Sequence, residues 1–275
     1  MAGKVCSVFV KVCSGLALWA FSFAVQAGCT KGLTVTYSDW PPYHYVDEDG
    51  KPAGLDIEIL GKVLSSINCP FTLKFVSWKR AQREIDYGSV DVGLAASKNT
   101  DRETYAWFSE SYRRESMVMF IRKGAEIRYN PHSLSELAET NYTIGLILGV
   151  WYGENLDELF RRKPAFRPRV LQSLEKKSLL KGLVRGRVDI VVSDLFNGVF
   201  AARREGILEE ITVRPEIIND NENHFMFSRK TTSEAEMERI NVAISKFKKT
   251  AAYRDLFPKY VPQGFLPRGF GRLVL

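Results

Sequence analysis

A two-lobed α/β architecture is what this sequence predicts, each lobe a βαβ-built sheet flanked by helices and the two joined by a two-strand hinge. Three observations carry that expectation. Short apolar strands alternate with amphipathic helices, a pattern that implies a parallel sheet with right-handed crossovers. The β-α-β-α-β pattern occurs twice, over 30–120 and again over 124–213. After the second copy the chain turns back through an extended stretch and a long helix, so it crosses between the lobes twice.

The elements follow in order. Residues 1–27, "MAGKVCSVFVKVCSGLALWAFSFAVQA", read as a signal peptide: Lys4 and Lys11 lead, an apolar run follows, and Val25-Gln26-Ala27 has the small-x-small spacing of a cleavage site. The run is short for a membrane span. A retained N-terminal anchor is the alternative. Ala27-Gly28-Cys29 also resembles the end of a lipobox, although Gln26 suits one poorly. Export to the periplasm is therefore expected, ahead of lipid anchoring at Cys29.

Of the 275 residues, the leader takes two lysines and no acid with it, so the net charge of +7 becomes +5. Basic and acidic residues are interspersed, and "RRK" (161–163) and "KFKK" (246–249) read as solvated helix faces rather than a nucleic-acid footprint. Cys29 and Cys69 remain after the leader, each just ahead of a strand, and in an oxidising compartment they are expected to pair. No CxxC or Cys/His cluster points to a metal, and no cofactor is expected.

"LTVTY" (33–37) reads as a strand, and 54–68 as a helix with Leu60, Val63, Leu64 and Ile67 at helical spacing. "FTLKFV" is the next strand, "KRAQREIDYG" a helix closed by Gly88, and "VDVGLAA" a third strand. The second copy runs "YTIGLIL" strand, "WYGENLDELF" helix, "RPRVLQ" strand, "SLEKKSLLKGLVRG" helix, "VDIVVSD" strand and "LFNGVFAARREG" helix. "NHFMFSRK" is extended, and "SEAEMERINVAISKFKKT" is a long helix with Met237, Ile240, Ala243, Ile244 and Phe247 on one side. The crossings are expected near "MFIRKG" and "IINDNEN". Lobe 1 then takes 28–123 and 214–262, lobe 2 takes 124–213, and 263–275 is a tail without periodicity. A cleft is expected between the lobes, at the carboxyl ends of their strands.

The segments "YSDWPPYHYVDEDGKPAGLDIEIL", "WKRAQREIDYGSVDVGLAASKNTDRETYAWFSESY", "GLILGVWYGE" and "GRVDIVVSD" resemble the bacterial extracellular solute-binding proteins of family 3. The resemblance spans roughly 30–260 and lies in several motifs in one order. It implies a periplasmic-binding-protein-like fold and a receptor for a polar amino acid or related small acid. It further implies an ABC permease in the inner membrane as partner, and a monomer suffices for such binding.

The resemblance also implies site residues. Arg102, six residues before Phe108-Ser109, stands where the family clamps a ligand carboxylate, and a guanidinium matches that group bidentately. Pairing with Glu103 or Asp101 is its structural alternative. Ser97 aligns with a further ligand contact. Asn99 and Ala95 depart from the family pattern, so one ligand hydrogen bond is replaced or missing. Asp194 matches the family's amine-binding aspartate, and it or Ser193 is equally a helix N-cap.

Gly149, Val150 and Trp151 follow a strand and open a helix, where N–H groups can receive an anion. Trp40 and Tyr43, on a loop stiffened by Pro41 and Pro42, are expected to stack on the ligand, with a core role as alternative. Trp78 and Arg80 are expected in the side-chain pocket, Arg80 alternatively in a helix-start salt bridge. His44 and Tyr152 are further pocket candidates. Two other functions stay open: a dehydratase-type enzyme on the same fold, which an additional cleft acid with a raised pKa would favour, and a sensory protein signalling to a membrane partner.

Overall fold

The computed structural model describes Cys29 and residues 31–129, 131–148, 150, 152 and 154–265; the leader 1–27 and residues 266–275 lie outside the described residues. β1 (Leu33–Tyr37) opens the fold, and a loop leads through the small hairpin β2 (Tyr45–Val46) and β3 (Pro52–Ala53) into α1 (Leu55–Ser66). α1 buries Leu55, Ile59, Leu60, Val63 and Leu64, the stripe an amphipathic helix turns to a core. Its N-cap, Gly54, sits at φ 125°, and a Cβ there would overlap the Tyr43 carbonyl. The close approach lets the Leu55 and Asp56 amides donate to the Pro42 and Tyr43 carbonyls at 3.0 and 2.8 Å. The helix start thereby holds the Pro41–Tyr43 loop in place.

β4 (Phe71–Phe75), α2 (Trp78–Tyr87) and β5 (Val92–Ala96) complete the first parallel unit, followed by α3 (Thr100–Glu103) and β6 (Ala106–Phe108). β7 (Arg113–Arg122) leads to α4 (Leu134–Glu139) and β8 (Ile144–Ile147). Next come α5 (Glu154–Arg162), β9 (Val170–Ser173), α6 (Lys176–Val184), β10 (Ile190–Asp194) and α7 (Leu195–Arg204). β11 (Ile211–Ser228) returns to the first unit, and α8 (Glu234–Lys248), α9 (Ala251–Arg254) and α10 (Phe257–Tyr260) follow. α8 begins with a full capping box, Ser233 with Glu236. Among the described residues no helix is long and apolar enough to cross a membrane.

The sheet runs β4-β1-β5-β11-β7-β10-β8-β9, with β6 also on β11. Its outer trios, β4-β1-β5 and β10-β8-β9, are parallel, while β7 and β11 are antiparallel to their neighbours. β11 pairs with β5 and β6 through His224–Ser228 and with β7 through Ile211–Asn223, so one strand serves both trios. Core packing is close where α7 crosses β7: a Cβ on Gly198 would overlap the Phe120 ring. Cys29 and Cys69, just ahead of the paired strands β1 and β4, are joined in a disulfide with Cα atoms 4.8 Å apart.

Two local expectations change. "RPRVLQ" is a 3₁₀ turn over Pro164–Arg169 before the strand begins at Val170, because Pro168 has no N–H to give a ladder. The helix expected from Trp151 starts at Glu154. β7 and β11 pair over most of β7, Arg113–Ser116 with Asp220–Asn223 and Phe120 and Ile121 with Val213 and Thr212.

Candidate functional site

Two of the residues that shape the site are fixed by a buried ion pair beneath it. Asp56, in the first turn of α1 and fully buried, accepts from Arg113 Nε at 2.5 Å and Nη2 at 3.1 Å. His44 Nδ1 lies 3.0 Å from the same carboxylate. Burial alone would raise the Asp56 pKa, but the Arg113 charge and the hydrogen bonds from His44 and Arg113 hold it well below the usual carboxylate range. The Arg113 guanidinium lies 3.6 Å from the centroid of the Tyr43 ring, which locks that ring in the core.

Tyr43 then reaches across. Its hydroxyl donates to Asp194 Oδ2 at 2.7 Å, linking the loop after β1 to the end of β10. The other oxygen, Oδ1, accepts from the Asn197 amide at 2.8 Å and caps α7. A second bridge runs beside it: Lys176 Nζ donates to Asn197 Oδ1, and Asn197 Nδ2 donates to the Pro41 carbonyl.

These groups line a cavity of about 220 Å³ that is open to solvent on one side. Its walls come from the carboxyl ends of β1 (Asp39, Trp40, Pro41), β8 (Ile147, Val150, Tyr152), β9 (Leu174, Lys176) and β10 (Ser193, Asp194), with Glu115 and Met117 of β7 and Asn197 of α7. That is where a parallel α/β sheet offers a ligand site. Burial and the neighbouring Asp194 charge push the Glu115 carboxyl up to about 7, against the pull of Arg113 and a 3.3 Å bond from Asn223 Nδ2. Asp194 is likewise raised by burial, less the contributions of the Asn197 amide, Lys176, Tyr43 and Arg113. Burial pushes Lys176 down to about 8, while Asp194 and Glu115 oppose the shift. Chemically, the pair of acids can seat an ammonium, Lys176 can meet an anion, and Glu115 can hold or release a proton near neutral pH.

The residues expected from the sequence divide into groups. Trp40, Val150 and Asp194 line the cavity, as does Tyr152, and Tyr43 braces Asp194 from behind. The Val150 amide already donates to the Ile147 carbonyl at 3.4 Å, so it belongs to a turn rather than to a helix start. Gly149 and Trp151 lie outside the described residues. Arg102 and Trp78 form a separate cluster outside that lining: the guanidinium sits 5.3 Å from the indole centroid and donates to the Ser97 carbonyl at 2.8 Å. Asn99, the departure from the family pattern, caps α3 by accepting from the Arg102 amide at 2.9 Å. Arg80 is exposed and pairs with Glu84 at 2.7 Å.

Sequence reasoning missed Glu115, Lys176 and Asn197. Lys176 carried a signal, since a lysine in the first turn of a helix opposes the macrodipole and asks for another reason. Glu115 carried a weaker one, as an acid two residues ahead of the apolar run Met117–Ile121. Among the described residues no group of three or more His, Cys, Asp or Glu side chains could hold a metal ion.

The sequence pattern described as bacterial extracellular solute-binding proteins, family 3, matches residues 33–263. A cyclohexadienyl dehydratase of Pseudomonas aeruginosa is 23% identical over 169 residues, 61% of this chain and 60% of that protein, so the match spans less than two thirds of the relative. A probable histidine-binding protein of Neisseria gonorrhoeae is 21% identical over 227 residues, 81% of this chain and 80% of that one. Among solved structures, a substrate-binding protein of a polar amino acid ABC uptake transporter from Streptococcus thermophilus superposes with TM-score 0.67 at 19% identity, covering 88% of this chain and 90% of its own. A histidine kinase sensor domain with similarity to periplasmic binding proteins gives TM-score 0.57 at 18% identity, covering 86% and 98%. At these identities the structural likeness shows the fold.

Proposed function

This chain belongs to the bacterial extracellular solute-binding proteins, family 3, and from that premise we propose an exported receptor that closes on a small amine-bearing solute of the amino-acid class. The observation that carries the reading is the cavity at the strand carboxyl ends, where Asp194 and Glu115 face Lys176. Export to the periplasm, delivery to an ABC permease and action as a monomer complete the proposal. Lobes of 28–123 with 214–262 and of 124–213 would move about β7 and β11, and ligand would favour the closed state by bonding to both. The carboxylate grip expected of Arg102 requires a movement that carries it to the cavity. Its bond to Ser97 uses one of five N–H donors.

Thermal unfolding of protein stripped of carried-over ligand, against a panel of amino acids and small acids, tests the reading. A ligand at a hundredfold excess over Kd stabilises by about 2.7 kcal/mol. A shift with one class, lost in Asp194→Ala, supports the receptor; a stripped, folded protein that shifts with none defeats it.

One observation favours a second reading. Glu115, an acid in the cavity wall with its pKa pushed up to about 7, is poised as a general acid, and one relative is a dehydratase. Turnover of a cyclohexadienyl acid that disappears in Glu115→Gln would establish catalysis in place of transport.

A further inference from the structure

We infer that the cavity is built for a ligand carrying one net positive charge, with the ligand's ammonium shared between Glu115 and Asp194. The inference rests on the receptor reading and narrows its ligand class. Three charged groups of the wall are buried: Glu115 on β7, Lys176 at the start of α6, and Asp194 at the end of β10. Asp39 also reaches the wall, but it is exposed to solvent. Arg113 lies close by, yet its charge is matched by the bidentate Asp56 carboxylate.

With both acids ionised, these buried charges leave one negative charge unbalanced. An unbalanced charge among groups buried in a largely apolar wall is costly. A neutral zwitterion leaves the imbalance in place, whereas a net cation removes it. Deprotonating Lys176 makes the wall more negative and strengthens the demand. In the empty protein the same balance is reached by a proton on Glu115, in keeping with the upward push on that carboxyl. The charged and titratable groups facing Glu115 are Asp194 from β10, Arg113 from its own strand, Asp56 from α1, Lys176 from α6 and Tyr43 from the loop after β1, with Asn223 of β11 as hydrogen-bond donor. Ligand cation and proton therefore compete for one place, and the cation gains as pH rises through the Glu115 value.

L-Lysine, L-arginine and L-glutamine are of similar reach and differ in net charge, which makes them the probes. Calorimetric titration of the stripped protein near neutral pH, in buffers of different ionisation heat, gives affinity and proton release together. The wild type is expected to bind lysine or arginine at least about tenfold tighter than glutamine and to release a fraction of a proton as it does so. Glu115→Gln, checked for folding by circular dichroism, is expected to lose that preference and the proton release. A wild type that prefers glutamine, or a variant that keeps the preference, overturns the inference and points to another cation, such as Arg102, entering the chamber. Failure of all three probes to bind overturns the inference, and the receptor reading falls with it only when the wider panel of amino acids and small acids also gives no thermal shift.

Discussion

Asp56 and Glu115 lie close enough to feel each other, yet their carboxyls are shifted in opposite directions. Asp56 is held ionised by Arg113, and replacing it with Ala leaves that guanidinium buried and unmatched, at an expected cost of about 3–5 kcal/mol in urea unfolding. Its folded pKa lies below its unfolded value, so its stabilisation is complete above about pH 4 and is lost as pH falls through the folded value. Glu115 has the reverse sign. The unfolded chain loses the proton first, so stability falls as pH rises from about 4.5 to 7. Glu115→Gln is therefore expected to stabilise the unliganded protein by about 1–3 kcal/mol at pH 8 and to leave it unchanged at pH 4, read from melts at the two values. These roles were hard to see in the sequence. Asp194 was legible because a carboxylate closing an apolar strand and preceding a helix has few uses; Glu115 was not, because a lone acid beside arginines in "SYRRESM" reads as an outward strand position until β11 and β10 close around it.

At the scale of elements, the alternation of short strands and helices foretold the strands and helices of the two parallel trios and α8, since periodicity reports which face is buried, though not the small hairpin, the short helices or β6. What it could not report is the start of a segment where a proline or a turn intervenes, as at Pro164–Arg169, or which loop a helix start will hold. Gly54 shows the second point. Its place depends on the Tyr43 carbonyl meeting α1, a contact made only once the loop folds back. Gly54→Ala is expected to cost at least about 2 kcal/mol in thermal unfolding and to weaken ligand binding with it, because the Tyr43 loop moves. The Cys29–Cys69 bridge closes a separation of 40 residues, and its reduction is expected to lower stability by about 2–4 kcal/mol in denaturant titrations with and without reductant.

In the molecule as a whole, two parallel trios share one continuous sheet through β7 and β11, yet side chains also tie them directly. Tyr43 bonds Asp194, Asn197 bonds the Pro41 carbonyl, and the Tyr45 ring meets Phe200 edge-on at 5.4 Å. These contacts bridge the two trios beside the cavity, and they have a consequence for time rather than for affinity. A solute that has to pass between the bridged trios waits for these bonds to break. In rapid mixing, the observed association rate is then expected to level off at high solute concentration, at a ceiling set by how often the Tyr43–Asp194 contact breaks. Tyr43→Phe removes that contact and is expected to lift the ceiling, so that the trios part more often and hold their guest less long.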